Sequence, residues 1–198
     1  MSKSEGGVRQ GRAGALSRKL GGMPLVLVGM MGAGKTTVGR RIAARLGRQF
    51  IDSDEEIELA AQMSIPEIFA QRGEAEFRAG EMRVIARLLK EKDIVLATGG
   101  GAFVNAETRS LVKADAVSVW LKADADVLFE RVSRRSNRPL LKTENPRATL
   151  EKLIAERYPI YAEADVTVMS RDVPQEAVAG DVISAVLDYL KTKQAVHG

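Results

Sequence analysis

A glycine-rich segment near the start of the chain has the residue types and the spacing that bind phosphate. Residues 29–36 read G-M-M-G-A-G-K-T, which fits the pattern G-x-x-x-x-G-K-[ST]. The glycines allow a tight turn that brings backbone N–H groups against phosphate oxygens, and Lys35 adds a mobile positive charge. The Thr36 hydroxyl is placed to ligate Mg²⁺. We therefore expect a nucleoside triphosphate with one Mg²⁺ to contact this loop at Gly32, Ala33, Gly34, Lys35, Thr36 and Thr37.

Two aspartates stand at the end of the second predicted strand, in the sequence Asp52-Ser53-Asp54. In a parallel sheet that end lies beside the phosphate loop, and residues two apart on an extended segment project to the same side. One carboxylate can then hold Mg²⁺ through water while the other accepts a hydrogen bond from an acceptor hydroxyl. An alternative is that both aspartates only cap the helix that follows, and capping is compatible with the chemical roles.

Further residues could recognise an acceptor molecule. Gly99-Gly100-Gly101 follows a predicted strand, where successive N–H groups can form a nest for an anion or a hydroxyl. Arg78 has Glu74 and Glu81 at helical spacing to orient it, which suits bidentate recognition of a carboxylate. Arg157, in E-R-Y-P-I-Y, is a second candidate. The alternatives are a plain glycine loop and ordinary surface salt bridges.

A basic segment interrupts the regular pattern and is expected to form a lid over residues 133–146. Residues 131–142 read R-V-S-R-R-S-N-R-P-L-L-K. Phosphoryl transfer needs water excluded and negative charge neutralised on the moving group, and a mobile loop with several guanidinium groups can do both. The alternative is a solvated basic loop without a catalytic role.

The elements that must position these residues alternate between strands and helices. Short apolar runs are expected as strands at residues 24–28, 49–52, 93–98, 116–121 and 165–169. Helical spacing of apolar residues predicts helices between them, including residues 34–46 and 74–91, and Ser64 with Glu67 forms a capping box. The pattern predicts an α/β fold with a parallel sheet covered on both faces.

The charge and composition of the 198-residue chain restrict the kinds of site and partner that we expect. There is no cysteine, and the single histidine is His197, so thiolate sites and histidine-based catalysis are not expected. The formal net charge of +4 arises within residues 1–22, and the remainder has equal numbers of basic and acidic residues. We expect residues 1–22 to be a disordered basic tail and not a nucleic-acid surface. No apolar run approaches the roughly 20 residues of a membrane helix.

Taken together, these motifs resemble those of the shikimate kinases over about residues 24–190. The resemblance rests on the phosphate loop, D-S-D at 52–54, F-R-A-G-E at 77–81, A-T-G-G-G at 97–101, R-P-L-L at 138–141 and E-R-Y-P-I-Y at 156–161. It implies a nucleoside-monophosphate-kinase-like P-loop fold with three layers and a five-stranded parallel sheet. It also implies transfer of phosphate from MgATP to the 3-hydroxyl of shikimate in chorismate biosynthesis.

The resemblance also implies roles for individual residues. Asp54 would bind shikimate hydroxyls and act as a base, while Arg78 and Arg157 would clamp the carboxylate. Gly99, Gly100 and Gly101 would contact the ring hydroxyls. Arg138 would reach the phosphates from the lid and Arg131 would flank the nucleotide, while Asp52 and Thr36 would support Mg²⁺. A residue that contacts adenine stays unassigned, because Arg171 and Gln175 do not fall clearly in register with the family pattern.

The same reasoning predicts one kinase domain at residues 23–193, a C-terminal tail at 194–198, and a cytoplasmic monomer without nucleic-acid or membrane partners. Three alternatives stay open. The first is a gluconate-type sugar-acid kinase, and the second is a nucleotide-dependent switch or binding protein, although the chain contains no N-K-x-D motif for guanine. The third is a nucleic-acid role, which would rest on residues 1–22 alone.

Overall fold

Five parallel strands form the centre of the molecule in a computed structural model, which describes residues 3–134 and 143–197. The strands are β1 (Leu25–Val28), β2 (Gln49–Asp52), β3 (Ile94–Ala97), β4 (Val117–Lys122) and β5 (Val166–Met169). Their order in the sheet is β2-β3-β1-β4-β5. Leu25 of β1 lies opposite Val95 of β3 and Val117 of β4. All residues of β1 and β3 are buried, as expected for strands with both faces covered. The predicted fold class and five-stranded parallel sheet are therefore confirmed.

Helices fill the connections between the strands. They are α1 (Lys3–Leu20), α2 (Lys35–Leu46), α3 (Ser53–Ala61), α4 (Ile65–Leu88), α5 (Ala106–Asp115), α6 (Ala125–Ser133), α7 (Pro146–Tyr161) and α8 (Gln175–His197). A 3₁₀ turn, Ala102–Val104, follows the glycine segment after β3. Within the described part of the chain, none of the helices combines the length and the apolar character needed to span a bilayer.

Two helices next to the site begin where local sequence signals place them. The phosphate-loop helix α2 starts after Gly34 and ends at Gly47, and both glycines have left-handed backbone angles. Helix α4 opens with the expected capping box between Ser64 and Glu67. The helix that opens at this box and the helix expected at residues 74–91 form a single element that ends at Leu88. It is interrupted at Gly73, whose φ of 79° and ψ of 173° are non-helical. The interruption turns the second half of α4, which carries Arg78.

The N-terminal segment differs from the expected disordered tail. Helix α1 packs against α2 and α8, and its buried side chains Ala13, Leu16 and Leu20 belong to the main core. Their spacing of three and four residues places them on one face of the helix. The Ser17 hydroxyl donates to the Leu46 carbonyl at the end of α2 (3.4 Å). The average composition of residues 1–22 did not reveal this apolar stripe, because glycine and basic residues occupy most of the other positions.

The C-terminal residues also differ from the expected tail. Helix α8 continues to His197, beyond the predicted domain limit at residue 193. Lys19 of α1 donates to the Gln194 side chain, so the two terminal helices support each other. Arg12 of α1 also donates a hydrogen bond to the Ser184 hydroxyl of α8 (2.8 Å). Both terminal segments are helical for the same physical reason, because each helix supplies the other with a surface to pack against.

Candidate active site

Predicted site residues from the phosphate loop, the aspartate segment and the glycine segment lie at the carboxyl ends of β1, β2 and β3. A cavity of about 460 Å³ lies there. It is lined by residues of the phosphate loop, the two aspartates, the glycine segment and two helices, among them Lys35, Thr36, Thr37, Asp52, Asp54, Gly99, Gly100, Arg131, Arg134 and Gln175. Loops that follow parallel strands converge at this edge of a sheet, which is where such folds bind their ligands.

The phosphate loop has the strained turn that its glycines predict. Gly29 has a φ of 137°, and a Cβ atom there would lie 2.7 Å from the Leu121 carbonyl oxygen. Inside the loop, the Lys35 ammonium donates to the carbonyl oxygens of Gly29 (2.8 Å) and Met30 (3.0 Å). The lysine is thus held across the loop, where its charge faces the cavity. The Ser170 hydroxyl, which follows β5, supports the loop by donating to the Ala33 carbonyl (2.8 Å).

Thr36 and Asp52 form a pair of oxygen groups at the base of the cavity. The Thr36 hydroxyl donates to Asp52 Oδ2 (2.9 Å), and Asp52 Oδ1 accepts a hydrogen bond from the Asp54 backbone N–H (3.1 Å). Asp52 is therefore the N-cap of α3, so the capping interpretation is correct for this residue. Its Oδ2 faces Thr36, and a hydroxyl next to a carboxylate is an oxygen set that suits Mg²⁺. The two residues therefore fit the expected magnesium site.

Asp54 lies against the glycine segment. A Cβ atom on Gly99 would lie 2.6 Å from Asp54 Oδ1 and 3.0 Å from Glu81 Oε1. The Gly99 N–H donates to the buried Ser53 hydroxyl (3.0 Å), which joins the aspartate segment to the glycine segment. Sequence reasoning passed over Ser53, although a small hydroxyl between two aspartates was a usable signal. The absence of a side chain at Gly99 leaves room for the Asp54 carboxylate.

Arg78 is anchored by a buried carboxylate. Its Nη1 donates to Glu81 Oε2 at 2.6 Å, and the Glu81 side chain is only 3% exposed. Burial raises the pKa of Glu81, while the hydrogen bond and the charge of Arg78 act to lower it. A Cβ atom on Gly101 would lie 2.6 Å from Arg78 Nη2, so the guanidinium lies against the glycine segment. The Arg78–Glu81 pair is therefore partly buried, unlike an ordinary surface salt bridge.

Arg157 contacts the same glycine segment. Its Nη1 donates to the Gly100 carbonyl oxygen at 3.3 Å. The Tyr161 hydroxyl donates to the same oxygen, and Tyr161 is fully buried. The structure thus brings Asp54, Arg78 and Arg157 together around the three glycines, although these residues lie far apart in the sequence.

On the nucleotide side of the cavity, Arg131 of α6 joins the phosphate loop to the chain after β5. It donates to the Ser170 hydroxyl (2.9 Å) and to the Arg171 carbonyl (2.7 Å). Arg134, which sequence reasoning did not select, also lines the cavity. Most of the expected lid, including Arg138, lies outside the described residues.

Gln175 at the start of α8 is the better placed of the two residues considered for adenine. It lines the cavity, and its Oε1 is buried with no hydrogen-bond partner among the described residues. Arg171 instead forms an ion pair with Asp181 (2.6 Å) on the surface. The register of the adenine contact could not be settled from the sequence, because it depends on where α8 begins.

Comparison with known proteins agrees with this arrangement. The family model for shikimate kinase matches residues 31–187. The chain belongs to the shikimate kinase family. It is 59% identical over 171 residues to a shikimate kinase of Rhodopseudomonas palustris, covering 86% of this chain and 84% of the relative. A shikimate kinase of Nitrobacter winogradskyi is 60% identical over 169 residues, covering 85% of this chain and 79% of the relative.

Solved structures give the same family. The structure of a shikimate kinase from Acinetobacter baumannii in complex with shikimate has a TM-score of 0.82 and 40% identity, and the match covers 87% of this chain and 97% of that one. A gluconokinase from Sinorhizobium meliloti has a TM-score of 0.59 at 18% identity, covering 89% of this chain and 98% of that one. The second likeness shows a shared fold only. The resemblance to shikimate kinases that the motifs indicated is therefore confirmed.

Proposed function

We propose that this shikimate kinase family member transfers the γ-phosphoryl group of ATP to the 3-hydroxyl of shikimate. The products are shikimate 3-phosphate and ADP, in a step of chorismate and aromatic amino-acid biosynthesis. The observation that carries the proposal is the cluster of Asp54, Arg78 and Arg157 around Gly99–Gly101, next to the phosphate loop. Arginines, a carboxylate and backbone N–H groups are what an acceptor with one carboxylate and several hydroxyls requires.

In the transfer step, the acceptor oxygen forms a bond to the γ phosphorus as the bond to the bridging oxygen breaks. ADP leaves with that electron pair, and the hydroxyl proton passes to the Asp54 carboxylate. Lys35 stabilises the negative charge that shifts among the phosphate oxygens during the reaction. Because the transition state is loose, Asp54 contributes by orienting the hydroxyl as well as by accepting its proton.

The nucleotide side would be completed by Mg²⁺ and the lid. Thr36 and Asp52 would hold the ion, which supplies charge neutralisation on the phosphates. Thr36 would contribute its hydroxyl directly and Asp52 would act through water. Arg131 flanks the nucleotide, and Arg138 would reach the phosphates from the lid to exclude water and balance charge.

The remaining proposals concern the location, the oligomeric state and the partners of the enzyme. We propose a cytoplasmic monomer that acts on small molecules and binds neither nucleic acid nor a membrane. Residues 23–198 carry equal numbers of basic and acidic residues, which supports the absence of a nucleic-acid partner for that part of the chain. The excess of basic residues lies in the segment that includes α1.

A coupled assay of ADP release tests the function. We expect release that depends on shikimate and not on gluconate, with quinate as a second comparison. Turnover with gluconate in the absence of turnover with shikimate would assign the chain to sugar-acid kinases instead.

Arg78→Ala tests the acceptor site within the same assay. We expect kcat/KM for shikimate to fall by roughly 10²-fold or more, since a charge-assisted contact to the acceptor carboxylate is lost, while ATP binding stays nearly unchanged. Arg83→Ala is a matched control in the same helix, because Arg83 is exposed and pairs only weakly with Glu76 (3.6 Å). Activity that survives the Arg78 change would contradict the assignment of Arg78 to the acceptor carboxylate.

A further inference from the structure

Tyr161, the last residue of α7, joins the acceptor side of the site to the phosphate loop. It is fully buried, and its hydroxyl donates to the carbonyl oxygen of Gly100. The same hydroxyl oxygen lies 3.8 Å from the sulfur of Met30, which belongs to the phosphate loop. The phenol group is therefore positioned where the glycine segment and the phosphate loop approach each other.

The ring and the hydroxyl of Tyr161 have separable tasks. The ring packs in an aromatic cluster with Trp120 and Tyr158, at centroid distances of 6.0 and 6.4 Å. A phenylalanine ring would keep this packing. What tyrosine adds is one strong donor in a buried place. Burial raises the pKa of Tyr161, while the charge and the hydrogen bond of Arg157 act to lower it.

The carbonyl that Tyr161 holds is shared with a residue of the acceptor site. Arg157 lies one helical turn before Tyr161 and donates to the same Gly100 oxygen at 3.3 Å. Without the phenol, Arg157 would be the remaining side-chain donor to that oxygen among the described residues. The carbonyl is partly buried, and losing a hydrogen-bond partner there costs free energy, so it would rotate or draw the guanidinium toward itself. Either change would reduce the ability of Arg157 to reach an acceptor carboxylate.

We propose that Tyr161 is a positioning residue for acceptor binding, whose hydroxyl fixes the peptide between Gly100 and Gly101 so that Arg157 and the Gly101 N–H face the acceptor. Tyr161 does not touch the reacting atoms and acts through Gly100 and Arg157. The proposal rests on the proposed function, since the acceptor it serves is the shikimate carboxylate and ring.

Tyr161→Phe tests the proposal, with Tyr158→Phe as its matched control. Tyr158 lies three residues earlier in the same helix and aromatic cluster, and its hydroxyl donates to the Ala123 carbonyl instead. Steady-state ADP release is measured while shikimate and ATP are varied in turn. For Tyr161→Phe we expect KM for shikimate to rise about three- to tenfold, the value of one partly buried hydrogen bond, while KM for ATP changes less than about twofold. For Tyr158→Phe we expect both constants to change less than about twofold.

Other outcomes separate the proposal from the function on which it rests. If the wild-type enzyme shows no shikimate-dependent turnover, the proposed function fails, whatever the variants do. If the wild type is active and Tyr161→Phe matches Tyr158→Phe, the positioning role is overturned. An equal rise of both KM values would also overturn it, because it would indicate a general loss of structure.

Calorimetric titration of shikimate into each full-length protein provides a measurement that does not depend on turnover. If Tyr161→Phe folds poorly, the binding stoichiometry reports the folded fraction and the dissociation constant reports that fraction alone. A dissociation constant raised about three- to tenfold supports the proposal. An unchanged constant overturns it.

Discussion

Replacing Gly99 with alanine is expected to disturb the acceptor side of the site while leaving the fold intact. Gly99 does not have a left-handed backbone conformation, so its φ angle is accessible to alanine. The requirement for glycine comes from its neighbours. An added Cβ would lie 2.6 Å from Asp54 Oδ1 and 3.0 Å from Glu81 Oε1. Both atoms are side-chain oxygens, so one of the carboxylates has to move.

The size of the effect follows from these distances. A comfortable carbon–oxygen contact is about 3.4 Å, so Asp54 has to move by roughly 0.8 Å. A misplacement of about 1 Å in a reacting group can cost 10²-fold in rate. We therefore expect kcat/KM for shikimate to fall about 30- to 100-fold, which corresponds to roughly 2–3 kcal/mol of transition-state stabilisation. The affinity for ATP should change little, because the Lys35 contacts lie outside the disturbed region.

Gly80→Ala provides the control for this experiment. Gly80 lies in α4 between Arg78 and Glu81, and a Cβ there would meet only Arg83 Nη2, at 3.9 Å. Alanine should stabilise the helix at that position by about 0.5–1 kcal/mol and leave the kinetics unchanged. The two variants are compared by ADP release and by thermal melting. If Gly99→Ala retains kcat/KM within about threefold of wild type, the close fit between Gly99 and Asp54 is not needed for catalysis.

Two further predictions concern the phosphate loop and the N-terminal helix. Lys35→Met should lower kcat by about 10²- to 10³-fold at an unchanged melting temperature, since it removes a charge that stabilises the transition state; a kcat near the wild-type value in ADP release would contradict this role. Leu16→Ala should lower the free energy of unfolding by about 2–5 kcal/mol, because Leu16 is 0% exposed in the main core. The exposed Arg18→Ala should change it by less than about 0.5 kcal/mol, and equal denaturation midpoints for the two variants would mean that α1 does not pack on the domain.

The sequence predicted those features whose causes are local. The phosphate loop, the strand before it and the helix after it depend on residues within about one motif, and glycines at Gly29 and Gly34 report directly on left-handed backbone angles. The capping box at Ser64 is local as well. These features could be predicted without knowing what the rest of the chain does.

The features that sequence reasoning missed depend on distant partners. Ser53 and Gly99 are 46 residues apart, and Tyr161 and Gly100 are 61 apart, so neither hydroxyl has a visible partner in the sequence. The helical character of residues 3–20 has the same explanation. The apolar stripe of α1 is short, and it is stable only because α8 and α2 supply the surface that buries it.

Two carboxylates contact Arg78, and they differ in burial and in their distance from the guanidinium. Glu81 is buried and bonds Nη1 at 2.6 Å, whereas Glu74 is 69% exposed and lies 3.4 Å from Nη2. An exposed contact of that length is worth little, while breaking the buried one would leave an uncompensated charge. An acceptor carboxylate at Nη2 would therefore replace the weak contact and keep the strong one. Glu81 holds Nη1 of Arg78 in place without any acceptor. In the proposed acceptor complex, binding would then cost little more than the displacement of Glu74.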